Sequence, residues 1–118
     1  MSKYADVYLL PIAEDKVVEY KKIATMAGKI FIKHGALKYR EYVMSDPKAD
    51  GIVPFPKLLR LKPGETVIYA AVEFKSESHR NATMKKIMAD PALNPEDTPM
   101  PFDFRRMVYG GFKVLVDL

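Results

Sequence analysis

Along residues 4–10 apolar and polar side chains alternate. In "YADVYLLP", Ala5, Val7 and Leu9 fall on one side and Tyr4, Asp6, Tyr8 and Leu10 on the other. This period of two predicts a strand, which Pro11 is expected to end. From about residue 14 the period lengthens. Tyr20, Ala24, Ala27, Phe31 and His34 recur at spacings of four and three, with Ile23 and Ile30 widening the stripe, as on the buried face of a helix. Glu14 and Asp15 suit its positive end, Lys33 and His34 its negative end. Gly35 is placed to stop it in the left-handed region.

The next run, "ALKYREYVM", predicts a second strand, with Leu37, Tyr39, Glu41 and Val43 on one face and Lys38, Arg40, Tyr42 and Met44 on the other. Neither face is cleanly polar, so both are expected to be partly covered. A loop rich in Pro, Asp and Gly, "SDPKADGIVPFP", follows. "KLLRL", "KPGE" and "TVIYAAVEF" then read as a hairpin, Pro63 and Gly64 taking the central positions of a type II turn, because glycine accepts the positive φ there cheaply. Ser76 or Ser78 caps a second helix running to about residue 90, where Pro91 closes it. A second proline-rich loop, "PALNPEDTPMPFD", leads into a last strand, "RMVYGGFKVLVD".

The order is βα, an extended ββ section, then αβ. That is the split βαβ, ferredoxin-like pattern, an α+β fold with an antiparallel sheet, and 118 residues make it one domain, residues 1–118. Helices in such a fold cover one face of the sheet. Tyr8, Leu10, Val67, Tyr69 and Ala71 are expected on the other face, an apolar surface large for a monomer. The expectation is a homodimer in which two sheets face each other around a small barrel-like cavity.

Composition changes this picture little. Apolar residues make up 48% and charged ones 29%, ordinary for a globular chain. No apolar run is long enough for a membrane span, and the interrupted N-terminal stretch reads as a strand rather than a signal peptide. With no cysteine there are no disulfides, and a cytoplasmic protein is expected. The net charge of +4 comes from scattered lysines, so no membrane partner and no specific nucleic acid are expected.

Four stretches, "GKIFIKHGALKYREY", "FPKLLRLKPGETVIYA", "SHRNATMKKIMADP" and "MPFDFRRMVYGGFKVLVDL", resemble together the YbaA-like family of small uncharacterised bacterial proteins. The blocks "MPFD", "RM" and "GGF" carry the most specific part of the likeness. The resemblance implies a dimeric α/β barrel of ferredoxin-like subunits, in the superfamily that includes antibiotic-biosynthesis-type monooxygenases and haem-degrading enzymes. It implies no activity and no catalytic residue.

Candidate chemistry is sparse. His34 and His79 lie at different helix ends, outside any zinc-binding spacing, and no metal or cofactor is expected. No serine has a recognisable base, and "GGF" precedes a strand rather than a helix, so it is no phosphate loop. The open sheet face offers more. With Asp6, Tyr8, Arg40, Tyr42, Tyr69 and Glu73 pointing one way, acids, a base and phenols meet around an apolar cleft, the composition of a small-molecule pocket. The alternative is that Asp6 or Glu73 pairs with Arg40 and the tyrosines pack a dimer. In "MPFDFRRMVYGGF", Asp103 is expected to close an Asx-type turn. The pair Gly110–Gly111 implies a bulge or a close backbone approach, and Asp103 and Arg106, with Tyr109, are candidates for the rim of a cleft. Two functions stand open: a dimeric binder of a small apolar or aromatic molecule, with a cofactor-independent monooxygenase- or isomerase-like reaction if it is an enzyme, or a non-catalytic interaction module. RNA binding is a distant third, since only a fragment of the RNP1 pattern is present.

Overall fold

In the computed structural model, residues 2–93 and 99–118 are described; residues 94–98 of the second proline-rich loop lie outside them. Four strands, β1 (Tyr4–Ala13), β2 (Lys38–Val43), β3 (Glu65–Phe74) and β4 (Val108–Lys113), form one sheet in the order β2-β3-β1-β4, every neighbouring pair antiparallel. Helix α1 (Val17–Lys33) links β1 to β2, and α3 (Glu77–Met88) links β3 to β4. This is the ferredoxin-like α+β arrangement that the element order predicts.

The helix ends form as the sequence dictates. At the end of α1, Gly35 has φ +115°, its N–H reaches Ile32 O at 3.1 Å and that of Ala36 reaches Phe31 O at 3.1 Å, the double closure of a Schellman motif. Ser76 caps α3, its hydroxyl accepting from the His79 N–H at 3.1 Å. The turn at Pro63–Gly64 also holds: Gly64 has φ +82°, and the Glu65 N–H donates to Lys62 O at 3.1 Å.

Two elements differ from expectation. β1 runs through Pro11 to Ala13. Beyond Leu9 it no longer pairs with β4 and is flanked only by β3, and a strand with one free side tolerates a residue that cannot donate. "KLLRL" is not a strand. Pro54 and Pro56 start a one-turn helix, α2 (Phe55–Leu58), proline being at home in a first helical turn, so β3 pairs with β2 across a long connection instead.

The core lies between the helices and one face of the sheet. One cluster gathers Leu10, Ile12, Tyr20 and Ile68; a second gathers Ala36, Val72 and Phe74. The register places Tyr4, Asp6, Tyr8, Leu10 and Ile12 on this covered face, beside Phe74, Val72, Ala70 and Ile68 of β3 and Tyr39, Glu41 and Val43 of β2. Tyr8 and Leu10 are therefore not on the open face. That face carries Ala5, Val7 and Leu9 beside Ala71, Tyr69 and Val67, flanked by Arg40 and Tyr42 on β2 and Val108 and Phe112 on β4. It is as apolar as expected, with Tyr42, Tyr69, Val108 and Phe112 exposed.

The Gly110–Gly111 pair forms no bulge, since the β1–β4 register runs unbroken through it. The reason for glycine is a close approach: a Cβ on Gly111 would sit 1.9 Å from the Tyr4 hydroxyl.

Candidate functional site

Strand alternation fixes which residues share a face within one strand, and strand register fixes which faces coincide. Asp6 lies opposite Val72, not Glu73. Asp6 and Tyr8 therefore face the helices, while Arg40, Tyr69 and Glu73 face away from them. The structure does not bring these five side chains together. Tyr42 and Tyr69 pack with ring centroids 5.6 Å apart at a 57° tilt on the open face, where Arg40 makes one long contact, 3.4 Å, to the Tyr42 hydroxyl.

The rim candidates Asp103 and Arg106 are taken up by contacts within the protein. Asp103 accepts from the Arg105 N–H at 3.0 Å, closing the expected Asx turn, and also holds the Arg105 guanidinium. Arg106 grips the Glu65 carboxylate through both terminal nitrogens, at 2.6 and 2.9 Å, and donates to Arg60 O at 3.2 Å. These Arg106 bonds hold the Glu65 carboxyl below the usual carboxylate range. They tie the start of β4 to the start of β3.

On the covered face, Asp6 is wholly buried. Its carboxylate accepts from Arg80 Nε of α3 at 2.9 Å and from the Tyr109 hydroxyl of β4 at 2.8 Å. Arg80 also donates to Tyr109 and to Asn81. This trio joins α3, β1 and β4, and with Asn81 it occupies three of the five guanidinium N–H donors. Tyr8 packs against Tyr109 with ring centroids 5.0 Å apart at a 42° tilt, and burial, then the Asp6 charge, raises its phenol pKa.

A second cluster involves residues outside the sequence-derived set. Glu41 of β2 accepts the Tyr20 hydroxyl on one carboxylate oxygen and the Tyr39 hydroxyl on the other. Burial, reinforced by Glu41, pushes both phenols far above their ordinary value, so they remain protonated donors. The signal in the sequence was an acid in phase with Leu37, Tyr39 and Val43 on an otherwise apolar stripe.

This Glu41 cluster stands between two concavities. A groove of about 700 Å³ runs outside, between α1 and β2, bordered by Lys21, Lys29 and Tyr42. A cavity of about 230 Å³ lies inside, between α1, the covered sheet face and the loop at Met100–Met107. Its wall takes Leu10 and Tyr20 from the first core cluster and Val72 from the second, so it separates the two. Six aromatic rings line it, those of Tyr8, Tyr20, Phe31, Tyr39, Phe102 and Phe104, with Glu41 as the one carboxylate among the lining residues. Phe102 packs edge-on against Tyr20 at 5.7 Å and lies 4.8 Å from the Phe104 ring. The loop "MPFDF" is thus a wall of the cavity.

The comparisons with known proteins agree with this architecture. Residues 3–104 match the family described as "Protein of unknown function (DUF1428)". The chain belongs to the DUF1428 family. It is 32% identical over 115 residues to the uncharacterised protein YbaA of Escherichia coli (strain K12) and to that of Shigella flexneri, covering 98% of this chain and 98% of each relative. Among solved structures, a dimeric ferredoxin-like protein from an uncultured marine organism superposes with a TM-score of 0.57 at 11% identity, over 100% of both chains. That likeness establishes the ferredoxin-like fold for the DUF1428 chain. None of its described helices is long and apolar enough to cross a membrane.

Proposed function

We propose that this DUF1428 protein is a homodimer whose subunits each bind a small apolar or aromatic molecule in the cavity between the covered sheet face and the C-terminal loop. The observation that carries the reading is the cavity itself. It is a half-open pocket of about 230 Å³ that combines aromatic walls with one convergent polar cluster. Tyr8 is the member of the sequence-derived set that lines it. The cleft lies beside the loop anticipated for it, on the opposite face of the sheet.

The homodimer rests on the open face. Tyr42, Tyr69, Val108 and Phe112 stand exposed around a strip formed by Ala5, Val7, Leu9 and Ala71, and an apolar patch of that kind marks an interaction surface. The neighbouring marine protein, described as dimeric, shares the fold. A cytoplasmic location belongs to the same reading, and fractionation of cells checks it. The second reading, an interaction module without a ligand, is favoured by the same exposed strip. A thermal-shift screen with flavins, haem, quinones and polyphenols separates the two. Saturable stabilisation by a planar aromatic ligand, with shifted signals from Tyr8 and Phe102, supports the binder; no stabilisation by any class leaves the interaction module.

A further inference from the structure

Glu41 is the lone carboxylate in an aromatic enclosure, and its hydrogen-bonding capacity is only half used. An ionised carboxylate offers about four acceptor positions. Tyr20 and Tyr39 fill one on each oxygen. No lysine, arginine or histidine forms an ion pair with Glu41 among the described residues. Glu41 also borders the outer groove, which it shares with Lys21 and Lys29, but neither lysine lines the inner cavity.

Filling such a cavity removes water from the carboxylate. With a neutral occupant the charge loses hydration on the side that faces the cavity and gains no counter-charge there. An anion adds repulsion. A cation restores the balance, and the rings that surround it present negative π-faces to the same charge. Tyr8, Phe31, Phe102 and Phe104 bring such rings to the cavity wall from β1, α1 and the C-terminal loop.

We infer that the inner cavity selects an organic cation, a protonated amine on an apolar or aromatic body, with the ammonium seated at Glu41 between the Tyr20 and Tyr39 hydroxyls. This rests on the proposal that the cavity binds a small molecule, and it assigns the charge of that molecule. The ammonium donates to the free acceptor positions of Glu41, while the two phenols keep the carboxylate aimed at it. The apolar body extends between α1 and the loop at Phe102 and Phe104.

Three probes of one shape test this: 2-naphthylmethylamine, 2-naphthylmethanol and 2-naphthoate, titrated into the intact protein by calorimetry at neutral pH. Methyl shifts of Ala70 and Met107 in NMR spectra report whether each sits in the cavity. The amine is expected to bind about ten-fold or more tighter than the alcohol, and the carboxylate weakest. Glu41→Gln should bring the amine to within about two-fold of the alcohol, weakening the amine and relieving the alcohol of the cost of covering a charge. Equal affinity of amine and alcohol in the cavity, or tightest binding of the carboxylate, overturns the charge assignment and leaves the cavity reading intact. An amine preference that survives Glu41→Gln overturns it as well. Failure of all three to shift Ala70 or Met107 removes the cavity reading along with the inference. Should the variant fail to fold, the order of the three probes on the unmodified protein decides.

Discussion

The two faces of the sheet solve opposite problems with similar residue types. On the covered face the acids, Asp6 and Glu41, each accept two hydrogen bonds. On the open face Arg40 and Glu73 lie toward the margin, on β2 and the adjoining end of β3, and the centre is apolar. Both faces carry tyrosines. On the covered side Tyr20 of α1 and Tyr39 and Tyr109 of the sheet spend their hydroxyls on carboxylates, whereas on the open face Tyr42 and Tyr69 pack ring against ring at a tilt. The difference teaches where selectivity resides. A buried polar group is costly unless paired, so its partners must be specified. An apolar face asks only for complementary cover.

This contrast can be broken at the open face first. Tyr69→Glu combined with Phe112→Asp should halve the mass in sedimentation equilibrium at micromolar concentration, because it places charges within an apolar contact; an unmodified protein that already sediments as a monomer would end the dimer reading. On the covered face, Asp6→Ala should cost about 3 kcal/mol in urea unfolding, since it leaves Arg80 without its carboxylate and the Tyr109 hydroxyl without an acceptor. A loss under about 1 kcal/mol would show that the trio is dispensable.

The phenols of Tyr20 and Tyr39 offer a test by pH. Their pKa values are raised in the folded protein. The stability they contribute is therefore complete below the ordinary tyrosine value of about 10 and is lost as pH rises toward the folded values. Ultraviolet titration should show a set of phenols that ionise only as the protein unfolds, and Tyr39→Phe should shrink that set by one. Gly64→Val belongs to neither face and calibrates the others. Nothing lies within 4 Å of a Cβ there, so the expected loss, on the order of 1 kcal/mol, is the cost of holding a β-branched residue at positive φ. The smallest effect is expected from Tyr69→Phe. Stability should change by no more than about 0.5 kcal/mol, and affinity for a cavity ligand should be unchanged, because Tyr69 points away from the cavity; a weakened ligand would return the site to the open face.

The element order was legible because each element announces itself locally. The α1 stripe, the Gly35 stop, the Ser76 cap and the Pro63–Gly64 turn all depend on residues within a few positions of one another. The site was not legible for the same reason. Which side of β1 faces α3 depends on whether Asp6 meets Val72 or Glu73 across the ladder, and nothing near Asp6 in the chain encodes that. Its partners, Arg80 and Tyr109, arrive from two later elements. "KLLRL" failed differently: its apolar residues suit a strand, but Pro54 and Pro56 impose a helical turn just before them. Glu41 was visible as an acid on an apolar stripe, yet its meaning needed the position of Tyr20 on α1.

The sheet order also governs the sequence of events during folding. β1 is held by β3 and β4, neither of which it meets early: Tyr4 waits for Phe74 and Lys113, and Ala13 for Glu65. The first local partner available to β1 is α1, which lacks its own cover until the sheet assembles. Contacts so distant along the chain close slowly, and an unpaired strand beside an uncovered amphipathic helix is exposed to misassociation in the interval. In a chain emerging from the ribosome, the opening segment therefore stays unpaired until the second half has been made.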